Sequence, residues 1–157
     1  LHGTILDAGA GTGLLGQALS RVGFDDIVGI DLSSQMLAQA RQKRVYKSLR
    51  KMNMGTTLDF SDAIFDAVTS VGALTISHAP ASALDELTRV TKPNGYMMFT
   101  IRPDFYVYGG FEKKLGELEK MGHIRFIMVT DPFQAIPLSE PEVDFQIWVY
   151  QKPHPRA

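Results

Sequence analysis

The sequence predicts an α/β fold built on a doubly wound, mostly parallel sheet. Three observations carry that prediction. Short apolar strand patterns alternate with helical ones along most of the chain, and such alternation builds parallel sheets with right-handed crossovers. A glycine-rich turn, "DAGAGTG" at 7–13, joins the first strand to the first helix. The last two strands have no evident helix between them, so they are expected to pair antiparallel.

Residues 4–8 read as an apolar strand ending in Asp7-Ala8. Residues 14–22 are helical, with Leu14, Leu15, Ala18 and Leu19 on one face, and Gly23 stops that helix. Residues 27–30 form a second strand with Asp31 at its tip. Ser33 caps the next helix, whose apolar stripe includes Met36, Leu37 and Ala40. A basic stretch at 41–51 leads into a short third strand over 50–54. Residues 65–71 form a continuous apolar strand, as in a sheet covered on both faces. Residues 80–90 are helical, "KPNG" at 92–95 is a turn, and 96–101 is the next strand. A helix over 111–121 ends at Gly122. Strands at 124–129 and 143–150 close a seven-stranded sheet, and the linker 130–142 between them carries three prolines. The folded domain is expected over 1–152. The tail "QKPHPRA" is expected to fray, with 153–157 outside the domain.

Composition narrows the function. A chain of 157 residues suits one domain. With 45% hydrophobic and 21% charged residues it has an ordinary globular balance. A formal net charge of −1 gives no global field toward nucleic acid or an anionic membrane. The absence of cysteine excludes disulfides, thiolate zinc sites and cysteine nucleophiles. No apolar run approaches the roughly 20 residues of a membrane span, and no secretory signal is visible, so a cytoplasmic location is expected. The chain starts at Leu1 and meets its first loop glycine at Gly9. It reads as a fragment lacking N-terminal helices that would cap the site.

The glycine turn admits two readings. Gly11, Gly13 and Gly16 fit G-x-G-x-x-G, and Asp31 stands 20 residues after Gly11, as in dinucleotide binding. Against that, Asp7, Ala8, Gly9 and Ala10 separate the apolar strand from Gly11, where the dinucleotide fingerprint follows its strand directly.

In the second reading, "ILDAGAGTG" resembles motif I of the class I S-adenosylmethionine-dependent methyltransferases: an apolar pair, an acid, then G-x-G-x-G. The resemblance implies a Rossmann-like sheet and S-adenosyl-L-methionine as cofactor, with S-adenosyl-L-homocysteine as product. It implies that Ala8, Gly9, Gly11 and Gly13 pass under the cofactor. Asp7 would help hold the loop and the cationic amino-acid end, and Asp31 would accept from the ribose hydroxyls. "GIDLSSQMLAQAR" at 29–41 is similar to the second-strand segment of that family, where Leu32 and Met36 would pack on adenine. "FDAVTSVGAL" at 65–74 is similar to its fourth strand, where Val71 and Gly72 would border the methionine moiety. "VGALTISHAPASALDELTRVTKPNG" at 71–95 and "ARQKRVYKSLR" at 40–50 resemble the methyltransferase-like proteins of the Williams-Beuren syndrome region. One departure is visible. The aspartate that many class I enzymes place after the third strand falls on Met54 or Gly55. Adenine would then rely on packing and on backbone at Gly55 and Thr56, or on Asp59 if its loop folds back.

The remaining candidates are weaker. His78, just past the fourth strand, either orients a substrate or takes its proton, or caps local structure. Tyr106 and Tyr108, in the expected loop after the fifth strand, either wall a substrate pocket or pack against an N-terminal segment that the chain is expected to lack. Arg102 is expected to pair with Asp104. The basic run "RQKRVYKSLRK" at 41–51 reads as a solvated face rather than a nucleic-acid contact. The spacing of His2, His78, His123 and His154 suggests no metal site, and none is expected. Ser33 and Ser34 lack a neighbouring histidine and are not expected to act as nucleophiles.

The expected function is methyl transfer by in-line displacement to an unidentified small-molecule or protein substrate. The alternatives are a non-catalytic cofactor-binding or partner-binding module and, behind it, an NAD-dependent oxidoreductase. The oligomeric state is open.

Overall fold

The computed structural model describes residues 2–75, 78–135 and 142–154. In chain order these form β1 (Ile5–Ala8), α1 (Leu14–Arg21), β2 (Ile27–Asp31), α2 (Ser34–Gln42), β3 (Ser48–Lys51), β4 (Phe65–Ser70), α3 (Ala83–Val90), β5 (Thr91–Ile101), α4 (Pro103–Tyr108), α5 (Phe111–Lys120), β6 (Arg125–Val129), β7 (Phe133–Gln134) and β8 (Asp144–Gln151). The sheet runs β3-β2-β1-β4-β5-β8-β6, with β7 pairing β8 off this path. Pairing is parallel from β3 to β5, and β8 is antiparallel to both β5 and β6. Strand order reverses between β1 and β4, so the crevice at their carboxyl ends is where a ligand binds in such a fold.

The α/β class and the antiparallel closing pair stand as expected. The local differences each have a cause. β3 begins at Ser48, two residues before its expected start. Lys47 N–H already bonds the Ile27 carbonyl at 2.8 Å, which brings the chain into register beside β2 early. "KPNG" does not end a turn before β5 but forms a bulge inside it. The β4–β5 register steps from Phe65–Thr91 to Ala67–Tyr96, with Asn94 left-handed at φ 64. Gly95 is required there, because a Cβ would stand 2.8 Å from the Asp66 carbonyl oxygen. Lys92 Nζ reaches both Asp66 oxygens at 2.9 Å and fixes the bulge from the side.

α3 starts at Ala83 rather than at Pro80. "PDFYVY", expected as loop, is the helix α4, opened by Pro103 in its first turn and anchored by buried Phe105. The linker 130–142 contributes the short strand β7, and its residues 136–141 lie outside the described set. The tail holds further than expected. Gln151 belongs to β8, and Lys152 Nζ donates to the carbonyls of Thr88, Arg89 and Thr91 at 2.8, 3.2 and 2.8 Å. That ammonium caps the carboxyl end of α3, where cations are favoured. Residues 155–157 lie outside the described set.

One contiguous core joins Leu6, Ile30, Phe65, Val68, Leu84, Leu87, Phe99 and Tyr150 across the sheet to Phe111, Leu115 and Leu118 of α5. α1 departs from its expected packing. Leu14 and Ala18 are exposed, and its buried residue is Gly16. Gly23 and Gly122 end α1 and α5 as expected, each left-handed, with Phe24 and His123 bonding back to the Leu19 and Leu118 carbonyls.

Candidate functional site

The site is built at the carboxyl ends of β1, β2 and β4. Leaving β1, Gly9, Gly11 and Gly13 all take left-handed conformations, at φ 81, 54 and 84, which glycine adopts without a Cβ penalty. A Cβ on Gly9 would stand 2.4 Å from the Ala73 side chain, so the loop lies tight against the segment after β4. Gly9 and Ala10 N–H groups both bond the Ile30 carbonyl, at 2.8 and 2.9 Å, which ties the loop to the end of β2.

Asp31 stands at the tip of β2. Its Oδ2 accepts from Gly11 N–H and its Oδ1 from Ser33 N–H, each at 2.8 Å. A carboxylate offers about four acceptor positions, so each oxygen keeps capacity for a further donor. Ser33 then caps α2, its hydroxyl accepting from Met36 N–H at 3.3 Å. Leu32 and Met36 are exposed beside this carboxylate while Leu37 and Ala40 of the same helix are buried. Across the crevice Val71 is exposed, and left-handed Gly72 donates its N–H to Thr100 Oγ1 at 2.8 Å. An open apolar rim beside an acceptor pair fits an adenosyl group, and the chain's own residues make that fit.

Asp7 is placed differently. It is only 1% exposed. Its Oδ2 accepts from the Tyr46 hydroxyl at 2.7 Å, and its carboxylate also accepts from Gly16 N–H. Burial pushes its pKa up to about 6, against the lowering effect of the Tyr46 hydrogen bond, with nearby Asp31 adding to the rise. α1 has no side-chain cap of its own at Gly13. Buried Asp7 supplies one from β1, placing a carboxylate at the positive end of the helix.

Tyr46 is the residue that sequence reasoning missed. It lies in the basic stretch read as a solvated face. Burial raises its phenol well above the ordinary range, as do the charge of Asp7 and the hydrogen bond to it, so it remains a donor. The signal for it lay in glycines inside regular elements. Gly16 in α1 and Gly29 in β2 mark the close approach of something large.

The adenine side holds no aspartate after β3. Met54 is partly buried, its methyl 3.2 Å from where a Gly9 Cβ would stand. Gly55 N–H donates to Asn53 Oδ1 and Thr56 N–H to the Asn53 carbonyl, so both candidate amides are engaged locally. Asp59 is turned toward Arg50, whose guanidinium also stacks on Phe60 at 4.8 Å. His78 is exposed and shares a 2.9 Å hydrogen bond with Thr75 through Nδ1. Tyr106 stacks on Trp148 with centroids 4.4 Å apart, whereas Tyr108 is 82% exposed. Arg102 grips Asp104 bidentately at 3.0 and 2.7 Å, as expected, and holds that carboxyl below its ordinary range.

A groove of about 1030 Å³ opens at the opposite edge of the sheet, between the ends of α3, α5 and β8. Two of the cations that line it are engaged by the protein itself. Arg89 is held by Glu86 and Asp62, and Lys152 by its three carbonyls.

The sheet order, the loop and the acids at two neighbouring strand tips are those of the class I methyltransferase fold. Residues 6–99 match the family described as "Methyltransferase domain". The chain is 37% identical over 122 residues to human methyltransferase-like protein 27, covering 75% of this chain and 49% of that protein. It is 34% identical over 128 residues to a ubiquinone biosynthesis O-methyltransferase of Alkalilimnicola ehrlichii, covering 76% of this chain and 51% of that one. The chain thus spans about half the length of these curated relatives. In fold it is similar to a SAM-dependent methyltransferase from Methanosarcina mazei, with a TM-score of 0.75 at 17% identity over 98% of this chain and 93% of that one. A TehB-like SAM-dependent methyltransferase from Corynebacterium glutamicum gives 0.71 at 21%, over 96% and 80%. This chain belongs to the methyltransferase-domain family, and the oxidoreductase reading is set aside.

Proposed function

We propose that this chain holds S-adenosyl-L-methionine on the glycine loop and aligns a substrate O, N, S or C nucleophile with its methyl group. The observation that carries this reading is Asp31, whose two oxygens are fixed by Gly11 and Ser33 N–H at the mouth of the β1–β4 crevice. When bound, the cofactor supplies an activated methyl on a positively charged sulfur. Asp31 accepts from the ribose hydroxyls. Leu32 and Met36 cover adenine, with Gly55 and Thr56 at its rim. Ala8, Gly9, Gly11 and Gly13 form the floor, and Val71 and Gly72 border the amino-acid end. The charge of Asp7 lies below that floor and favours a cationic ligand. Alignment is the chief demand on the protein, and it supplies up to about 7–11 kcal/mol in well-oriented intramolecular models.

The domain spans 1–152 in this reading, and the substrate is a small molecule or protein. His78 and Tyr108, exposed on segments following β4 and β5, are the residues offered to it, while Tyr106 supports that edge through Trp148. The cytoplasm is the proposed location, since a cysteine-free chain needs no oxidising compartment. Among the described residues no helix is long and apolar enough to cross a membrane. Calorimetry with S-adenosylmethionine, S-adenosylhomocysteine and NAD tests the reading. Micromolar binding of the first two and none of the third is expected; NAD binding alone overturns it.

A further inference from the structure

We infer that Tyr46 is the positioning residue of the cofactor loop, that Gly16 is a glycine in order to admit its ring, and that Gly13 and Gly29 lie against the same ring. The inference rests on the cofactor reading above and deepens it. A Cβ on Gly16 would stand 2.3 Å from both Cζ and Oη of Tyr46. One on Gly29 would stand 2.6 Å from Leu49 Cδ2 and 2.9 Å from Tyr46 Cε1, and one on Gly13, left-handed at φ 84, would stand 3.0 Å from Ala40 and 3.1 Å from Tyr46 Cε2. Three glycines on three segments, the loop, α1 and β2, therefore close around one phenol. The third glycine of the apparent dinucleotide fingerprint makes room for this ring.

The hydroxyl at the end of that ring donates to Asp7 at 2.7 Å. Asp7 in turn accepts from Gly16 N–H. The chain of contacts runs from the segment before β3, through Tyr46, to the tip of β1 and the first turn of α1. Those are the two ends of the glycine loop. A phenol wedged there fixes how far α1 stands from β1, and so the path the loop takes between them. Its hydrogen bond also favours the ionised form of a carboxylate that burial and Asp31 push toward the neutral form. The titratable groups acting on Asp7 are thus Tyr46, from the segment before β3, and Asp31, from β2; Gly16 N–H adds a fixed donor from α1. Tyr46 stays protonated throughout, because the negative charge opposite it and its own burial oppose ionisation.

The test uses Tyr46→Phe, which keeps the ring and removes the donor, and Gly16→Ala, which crowds the ring. Carboxyl-carbon NMR of the cofactor-free protein follows the titration of Asp7. Calorimetry from pH 5 to 8 follows binding of S-adenosylmethionine. In the unsubstituted chain Asp7 is expected to titrate near 6 and affinity to fall as the pH drops through that value. In Tyr46→Phe the Asp7 midpoint moves up by half a unit or more. The pH midpoint of affinity moves with it, and affinity at pH 7.5 falls three- to tenfold while circular dichroism stays unchanged. Gly16→Ala weakens binding at least tenfold, and Gly16→Ala/Tyr46→Ala recovers part of that loss. Binding by the unsubstituted chain that is indifferent to Tyr46→Phe at every pH overturns the inference, as does an Asp7 midpoint that does not move. Failure of the unsubstituted chain to bind at any pH instead sinks the cofactor reading, and the inference with it.

Discussion

The two flanks of the sheet are held together by different chemistry. On the β3-β2-β1 side the chain is fixed by hydrogen bonds to two carboxylates and by glycines that clear space for one tyrosine. On the β5-β8-β6 side it is fixed by aromatic contact. Phe99 stacks on Tyr150, Tyr106 stacks on Trp148, and the edge of Phe126 meets both Tyr150 and Trp148. The first kind of fixation sets atoms to within a few tenths of an ångström and tolerates little change. The second fills volume and tolerates rearrangement. The family match covers 6–99 and stops before most of the aromatic flank. The difference teaches where binding and where adaptability reside.

Substitutions can break that contrast. The largest effect is expected from Gly9→Ala, which meets Ala73 at a left-handed position. Strain and overpacking together cost about 2–5 kcal/mol, read as a large drop in unfolding midpoint with loss of cofactor binding. Trp148→Ala is its counterpart on the other flank. It should cost about 2–4 kcal/mol of stability, somewhat less than a fully buried aromatic, and leave cofactor affinity within about twofold by calorimetry. A joint loss of both properties there would mean that the flanks are not independent.

Asp31→Ala comes next. Losing charged hydrogen bonds should weaken S-adenosylmethionine binding by roughly 1.5–3 kcal/mol, and an unchanged Kd would refute the ribose assignment. Asp7→Asn sharpens the contrast within the binding flank. Asp7 has a folded-state pKa of about 6, above the 3.8 of an ordinary aspartate. The folded protein therefore binds the proton more tightly than the unfolded one. That contribution to stability is complete below about 4 and is lost as pH rises through 6. Asn removes the buried charge, so at pH 7.5 it should raise stability by about 3 kcal/mol, fading toward zero below about pH 4, while cofactor affinity falls. Equal shifts at both pH values in chemical denaturation would contradict it. The smallest effect is expected from His78→Ala. With its hydrogen bond local to Thr75, its loss should change cofactor affinity by less than about twofold. Turnover, once a substrate is found, decides whether it orients that substrate.

What was legible in the sequence follows the same division. The left-handed loop glycines, the Ser33 cap and the place of Asp7 and Asp31 at two strand tips could be read directly, because each is local and fixed by backbone geometry. Tyr46 could not. Its partner Asp7 lies 39 residues away, and its neighbours in sequence are cations, which suggested solvent. The bulge at Lys92–Gly95 was hidden for a similar reason. "KPNG" has the composition of a turn, and only Asp66 across the ladder and β8 on the far side keep it in the strand. "PDFYVY" lacked the length that makes helical periodicity readable, and its helix depends on Phe105 finding the core.

The position of β8 carries a consequence for the birth of the protein. β6 is synthesised before β8, yet its ladder partner is β8. The carbonyls at the end of α3 likewise await Lys152, more than 60 residues downstream. On a ribosome the chain emerges in order, so the glycine loop and its carboxylates can assemble while the aromatic flank is still open. β8 lies between β5 and β6, two strands made before it, so their edges meet only through a strand that neither has at its own synthesis.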